Sequence, residues 1–400
     1  MTFDAPTRIE EAASLLPDLI ELRRAIHREP ELGLQNPKTA AKIKAALAGL
    51  PLEIREGPST SGLVAILRGS ANGRTVLLRG DTDALPLKED TGLDYSSEIG
   101  GAMHACGHDT HVSMLVGAAK LLCARREHLA GTVMFMFQPG EEGYHGARFM
   151  LDDGLLDPLP DAAFALHIMP NGPHGVFSGR AGPLLASADK LTVEVKGRGG
   201  HASMPHDALD PLPIACEIVG AIQTYITRQV SVFDPAVLTV AKIEAGTTHN
   251  VIPETASLVG TLRTLSTRRR SDVQAGVARL AKGIADAHGA SASVEWEEGF
   301  PVTVCDSRAV AIGEAVATDL FGANGWQTLA HPIMGAEDFS YVLEKVPGAM
   351  FFLGAAHEGV DWRACCGLHS NHMVLDEKVM ARGAALHAAL AERFLAEGFA

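Results

Sequence analysis

Short, nearly uninterrupted apolar runs recur between helix-length segments in the first 185 residues of the chain: Gly62 to Leu67, Thr75 to Gly80, Thr132 to Phe137 and Ala162 to Leu166. A strand that is apolar at successive positions is buried on both faces. That pattern predicts a mixed, mostly parallel sheet with helices on both sides. Leu15 to His27 has helical periodicity, Asn36-Pro37 opens a second helix with proline at its first position, and a third helix is expected from about His111 to Arg125. Ser70-Ala71-Asn72-Gly73, between the first two runs, reads as a hairpin turn.

The rhythm changes after Gly182. Lys190 to Lys196 alternates like a half-exposed strand, Leu209 to Gln229 is helical, Ala236 to Ile243 and Ala256 to Leu265 are strands, Arg269 to His288 is helical, and Ala292 to Glu297 is a last strand. This β-α-β-β-α-β order is the ferredoxin-like split motif. It predicts an α+β domain at 186–298, inserted into an α/β domain made of 1–185 and 299–400, where the helix and buried-strand alternation resumes with Ala349 to Leu353.

A chain of 400 residues buries enough surface to fold without disulfides or a structural metal. Its 34 Lys+Arg against 48 Asp+Glu give a net charge of −14, which argues against a nucleic-acid partner. The longest apolar stretch, Val112 to Ala124, is broken by Lys120 and falls short of the roughly 18 residues of a membrane span. The opening MTFDAPTRIEE has no apolar core of a secretory signal. The six cysteines follow no framework spacing, and a cytoplasmic protein with reduced thiols is expected.

Ligands of open α/β sheets bind beyond the carboxyl ends of the strands. Here Thr75 to Gly80 runs into Asp81-Thr82-Asp83, Thr132 to Phe137 into Gln138-Pro139-Gly140-Glu141-Glu142, and Ala162 to Leu166 into His167. Each alone reads as a solvated acid or a hydrogen-bonded histidine; three in succession favour a shared site. The densest cluster is His104-Ala105-Cys106-Gly107-His108-Asp109-Thr110-His111. Cys and His two apart on a glycine-containing loop can reach one ion, and thiolate plus imidazole suits zinc or a related borderline metal. Adjacent carboxylates such as Glu141 and Glu142 can divide labour, one on metal and one on a reacting water. The plainer reading of that pair is the acidic start of a helix. HExxH, Walker A and GxSxG motifs are absent, and the GxGxxA match at Gly197 to Ala202 is discounted because Pro205 stands where its helix would propagate.

Ten segments in this order resemble the M20 metallopeptidase and amidohydrolase family, in its branch of hippurate hydrolases, N-acyl-amino-acid amidohydrolases and auxin-conjugate hydrolases. They are RRAIHREPELG (23–33), GDTDALP (80–86), MHACGHDTH (103–111), QPGEEG (138–143), LHIMP (166–170), GRGGHASMPH (197–206), NVIP (250–253), GTLRT (260–264), GAEDFS (335–340) and LHS (368–370). The resemblance implies two divalent metal ions per subunit, zinc first and manganese, cobalt or nickel as alternatives, held by Cys106, His108, Glu142, His167 and His369. It implies Glu141 as the catalytic acid/base and Asp83 as a support behind the ligands. His201 and Asn250 would touch the substrate carbonyl and carboxylate, and Arg263 would grip the free carboxylate. It further implies that the inserted domain acts as a lid and pairs subunits into a homodimer or higher homo-oligomer, with the histidine reaching the partner's site.

The expected reaction is hydrolysis of the amide bond of a small N-acyl amino acid. The rivals are a carboxypeptidase or dipeptidase on the same site, and a metal-binding homologue without catalysis. Gly140, Thr82 and Asn371-His372 depart from residues usual in the family, beside ligands rather than on them.

Overall fold

The computed structural model describes residues 5–399. The chain forms two compact units. One takes the chain up to Leu184, Val304–His331 and everything from Asp338; the other takes Leu185–Thr303 and Pro332–Glu337.

In the larger unit, helices α1 (Leu16–Arg28) and α2 (Pro37–Ala46) precede strands β1 (Glu53–Glu56), β2 (Leu63–Arg68) and β3 (Ala71–Asp81). Helix α3 (His108–Ala124), strands β4 (Ala130–Gln138) and β5 (Ala162–Met169), and the short β6 (Phe177–Gly179) follow. In the smaller unit come β7 (Asp189–Lys196), α4 (Pro211–Gln229), β8 (Ala236–Ala245), β9 (Thr255–Thr264), α5 (Thr267–Ala287) and β10 (Ser291–Glu298). The larger unit closes with β11 (Trp326–Thr328), β12 (Gly348–Gly354) and α6 (Val379–Glu397).

The large sheet runs β1-β2-β4-β3-β5-β12-β6-β11. Its centre, β4-β3-β5-β12, is parallel, with Val76 opposite both Val133 and Ala162 and Phe351 opposite Leu166. Every successive residue of Val76–Asp81, Ala162–Ile168 and Gly348–Gly354 is buried, which requires cover on both faces. Because the central strands are parallel, their carboxyl ends share one edge of the sheet.

Two expectations are corrected. Residues 70–73 do not close a hairpin, because β4 lies between β2 and β3, antiparallel to the first and parallel to the second. β4 is buried almost throughout and takes a neighbour on each side; the Gly69 and Ser70 amides bond Gly131 and Leu129 at its start rather than closing a turn. The third helix begins at His108, not near His111. Gly107 makes this possible at φ +82°, where a Cβ would also strike the Ile168 side chain at 2.6 Å.

The smaller unit is an antiparallel sheet in the order β8-β9-β7-β10, the split β-α-β-β-α-β arrangement. Leu191, Val193 and Val195 of β7 and Leu258 and Leu262 of β9 pack with α4 and α5 residues such as Ile218 and Val277 in one core. Alternate β9 residues Val259, Thr261 and Arg263 occupy the other face and are partly exposed.

Candidate metal centre

Five segments of the larger unit converge at the carboxyl edge of its sheet. β3 ends at Asp81 and delivers Asp83; β4 ends at Gln138 and delivers Glu141 and Glu142. β5 carries His167 near its end, and the loop entering α3 carries Cys106, with His108 as the first residue of the helix. His369 comes from the loop before α6. It sits at φ +63°, with its amide donating to the Ala105 carbonyl at 2.8 Å, which stitches it beside Cys106. A left-handed φ at a non-glycine residue stores strain, a feature that clusters at functional sites.

The side chains meet at short range. Cys106 Sγ lies 3.4 Å from His167 Nε2, and His369 Nε2 lies 3.3 Å from Glu142 Oε1. His108 Nε2 is 4.0 Å from Glu141 Oε2 and 3.9 Å from Glu142 Oε1. Three sets each present ligand atoms within 4.8 Å of one another: Cys106 with His108 and His167, Cys106 with Glu142 and His369, and His108 with Glu141 and Glu142. The five residues expected as ligands are thus brought together, with Glu141 among them.

The donor set fits a divalent ion. Both ring nitrogens of His108 are fully buried without a well-aligned hydrogen bond, although carboxylate oxygens of Asp81 and Asp83 stand 3.5 Å away. Burial opposes charge on this ring, but Asp81, Asp83 and Glu142 outweigh it and raise its pKa to about 10. Burial, reinforced by Glu142, Glu141 and Asp81, pushes the Cys106 thiol up, while burial and the neighbouring His111 push His167 down. A buried thiol, imidazoles and acids that fail to satisfy one another are satisfied together by a cation, which also stabilises the thiolate.

Surrounding groups orient these side chains. The Asp83 carboxylate accepts the Glu141 amide on one oxygen and the Glu142 amide on the other, each at 3.0 Å. His167 Nδ1 donates to the Ile168 carbonyl at 2.7 Å, which leaves Nε2 turned to Cys106. Asp81 and His108 also stand close to His111, but Asp81 and His111 are committed to hydrogen bonds with each other and with their neighbours. His111 Nδ1 donates to Asp81 at 2.5 Å, its Nε2 accepts the Ile168 amide at 2.9 Å, and the other Asp81 oxygen accepts Arg79 at 2.6 Å. Arg79, wholly buried, also donates to Gln138 and Asp338. The sequence places Asp81 and His111 in clusters without indicating a role for either, and it does not single out Arg79 or Asp338. The only available signal was their membership of the GDTDALP, MHACGHDTH and GAEDFS segments or, for Arg79, its place beside one.

Residues 141–143 form a turn and the next helix begins only at Gly146, so the helix-start explanation of the paired glutamates does not hold. The remaining expected residues lie in the smaller unit. His201 and Asn250 line one concave surface with Gly199, Gly200 and Glu254. His201 pairs with Val251 across a two-residue ladder and is exposed, and its Nδ1 bonds Ser203, which leaves Nε2 without a partner among the described residues. Arg263 is half-buried on the sheet face away from the helices, with no ion pair or hydrogen bond among the described residues, and burial pushes its pKa down. Among those residues no helix is long and apolar enough to cross a membrane.

Comparison with known proteins agrees with this geometry. Thermostable carboxypeptidase 1 of Saccharolobus solfataricus is 37% identical over 389 residues, covering 94% of this chain and 95% of that protein. Hippurate hydrolase of Campylobacter jejuni is 34% identical over 390 residues, covering 96% of this chain and all of the relative. The crystal structure of the Bacillus subtilis YXEP protein, described as a dinuclear metal binding peptidase from the M20 family, superposes with a TM-score of 0.83 at 34% identity, covering 96% and 99% of the two chains. The model of peptidase family M20/M25/M40 matches residues 77–393, a span that holds every converging side chain described above, and the chain belongs to that family.

Proposed function

We propose that this chain is a metal-dependent amidohydrolase that cleaves the amide bond of N-acyl amino acids, hippurate-like or N-acetylated, to a carboxylic acid and a free amino acid. The observation that carries the reading is the convergence of Cys106, His108, Glu142, His167 and His369 at one sheet edge with Glu141 beside them. Those five residues would hold two divalent ions, zinc first, with manganese, cobalt or nickel as alternatives. Bound there, the ions would polarise the amide carbonyl and acidify the attacking water.

The chain's own groups would carry the proton. Glu141 takes it from the water as oxygen bonds to the carbonyl carbon, then passes it to the amide nitrogen as the C–N bond breaks. Asp83, by accepting both glutamate amides, holds the Glu141 backbone still through both transfers. His201 and Asn250 would donate to the developing oxyanion and Arg263 would fork onto the substrate carboxylate. The enzyme would work as a cytoplasmic homodimer formed through the smaller unit.

The relative named as a carboxypeptidase favours a second reading, hydrolysis of a peptide with a free C-terminus. One panel separates the two: N-acetyl, N-benzoyl and long-chain N-acyl amino acids beside dipeptides, before and after chelation. N-acyl amino acids are expected to be turned over, chelation to abolish turnover, and Zn²⁺, Mn²⁺, Co²⁺ or Ni²⁺ to restore it. Preference for dipeptides selects the second reading, and full activity in a verified metal-free preparation removes both.

Arg263 gives a further expectation. A guanidinium forks onto carboxylate in a way lysine does not copy. Arg263→Lys should raise KM for N-acyl amino acids by roughly tenfold or more, equivalent to losing one charge-assisted hydrogen bond, with unchanged metal content and melting. Amidated analogues should be poor substrates for both proteins; wild-type enzyme that hydrolyses amides as well as acids excludes carboxylate recognition by this residue.

A further inference from the structure

The first family-like segment, residues 23–33, contributes no ligand to the metal centre, yet it holds a buried charge cluster against the helix that does. Helix α1 buries Leu19, Arg23, Ile26 and His27, one stripe at helical spacing in which two of the four residues are basic. Arg23 Nε lies 2.7 Å from Asp109 Oδ2, and His27 Nδ1 donates to the same oxygen at 2.8 Å. Arg23, His27 and Asp109 are at most 2% exposed. The cluster continues outward. His27 Nε2 reaches Glu89 at 3.3 Å, Arg23 Nη1 reaches Glu377 at 3.2 Å, and Glu377 is also gripped by Arg24 at 2.6 Å.

Asp109 is the second residue of α3, directly after His108. Helix starts are ordinarily fixed by a capping side chain on the residue before the first turn. Here that residue is Gly107, which has none, in the left-handed region that lets the chain pass Ile168. The other Asp109 oxygen accepts the Thr110 amide at 3.0 Å, so this carboxylate ties the first turn to α1. Buried ion clusters are weak contributors to stability, since well-packed apolar residues often do as well or better. Their better-attested use is to fix one geometry.

We propose that the Arg23–Asp109–His27 cluster is a positioning device that sets the first turn of α3, and with it the ring of His108, for metal binding. This rests on the metal-centre reading above. The three residues touch neither metal nor substrate; they act through His108. Removing such outer partners of a ligand typically lowers metal affinity by about 10–100-fold.

The test is titration of Co²⁺ into chelator-treated protein, following the visible and near-ultraviolet bands of cobalt bound by thiolate and imidazole, with melting of the metal-free protein measured beside it. His27→Ala is expected to weaken Co²⁺ binding by about 10–100-fold and to alter the bands. His27→Gln, which keeps an N–H donor toward Asp109, is expected to recover most of the affinity. Arg23→Lys should weaken binding as well, since an ammonium cannot span Asp109 and Glu377 as the fork does. A purely structural cluster would lower the metal-free melting temperature and leave the cobalt affinity and spectrum of the folded protein at wild-type values, and that result overturns the proposal. If Arg23→Lys does not fold, the Ala and Gln pair at His27 decides alone. Wild-type protein that takes up no cobalt removes the metal reading and the positioning role together, whereas wild type and variants that bind equally remove the positioning role only.

Discussion

Glu141→Gln is expected to lower kcat on the order of 10²–10⁴-fold while the protein keeps its metals, because glutamine preserves the shape of the side chain and removes the proton acceptor. Glu142→Gln is expected to do the reverse, losing metal first and activity in consequence. The assignment follows from geometry. Glu142 Oε1 stands 3.3 Å from His369 and forms a three-way set with it and Cys106, whereas Glu141 joins neither set that contains Cys106 and otherwise lies beside Glu337 and Asp338. Both amides are held by the two oxygens of one carboxylate, that of Asp83, so neither substitution should disturb the backbone of the other residue. Elemental analysis beside steady-state kinetics reads the outcome. A metal-depleted Glu141→Gln protein with a metal-replete Glu142→Gln protein would exchange the two roles.

The pair also shows what a sequence conveys about such a site. The acids at the ends of β3 and β4 and the histidine of β5 were legible, because parallel buried strands read as apolar runs and ligands gather at their carboxyl ends. The smaller unit was legible for a related reason: its strands alternate and its helices are long, so the order β-α-β-β-α-β survives without knowledge of partners. What stayed hidden was non-local. The Ser70–Gly73 segment has the residues of a hairpin turn, and nothing local says that residues 130–138 will enter between its arms. The sequence points to a later start for the helix from His108 because Gly107 is an unusual start, and polar histidines and Asp109 disguise a turn that is wholly buried. The attachment of Arg23 and His27 to Asp109 joins residues more than eighty positions apart, and that of Arg79 to Asp338 more than two hundred and fifty. Salt bridges between such distant positions leave no periodicity to read.

The largest reversal of activity should come from mixing two inactive proteins. His201→Ala removes a proposed oxyanion donor, a loss of about 3–4 kcal/mol of barrier stabilisation if the donor is representative, and Glu141→Gln removes the proton acceptor. His201 is suited to reach outward. It is exposed on a short ladder after a glycine-rich stretch, its Nδ1 is engaged by Ser203, and Nε2 has no partner among the described residues. If it acts across a twofold interface, a mixed dimer contains one subunit with an intact Glu141 that receives an intact His201 from its partner. Random exchange makes half of the dimers mixed with one working site in each, so roughly a quarter of wild-type turnover should return. If His201 acts within its own subunit, each half of a mixed dimer still lacks one group and the mixture stays inactive. Subunit exchange is checked with differently tagged chains, and metal content should be the same in all samples. Silence with exchange demonstrated would confine the histidine to its own chain and separate the dimer, as an architectural feature, from the chemistry.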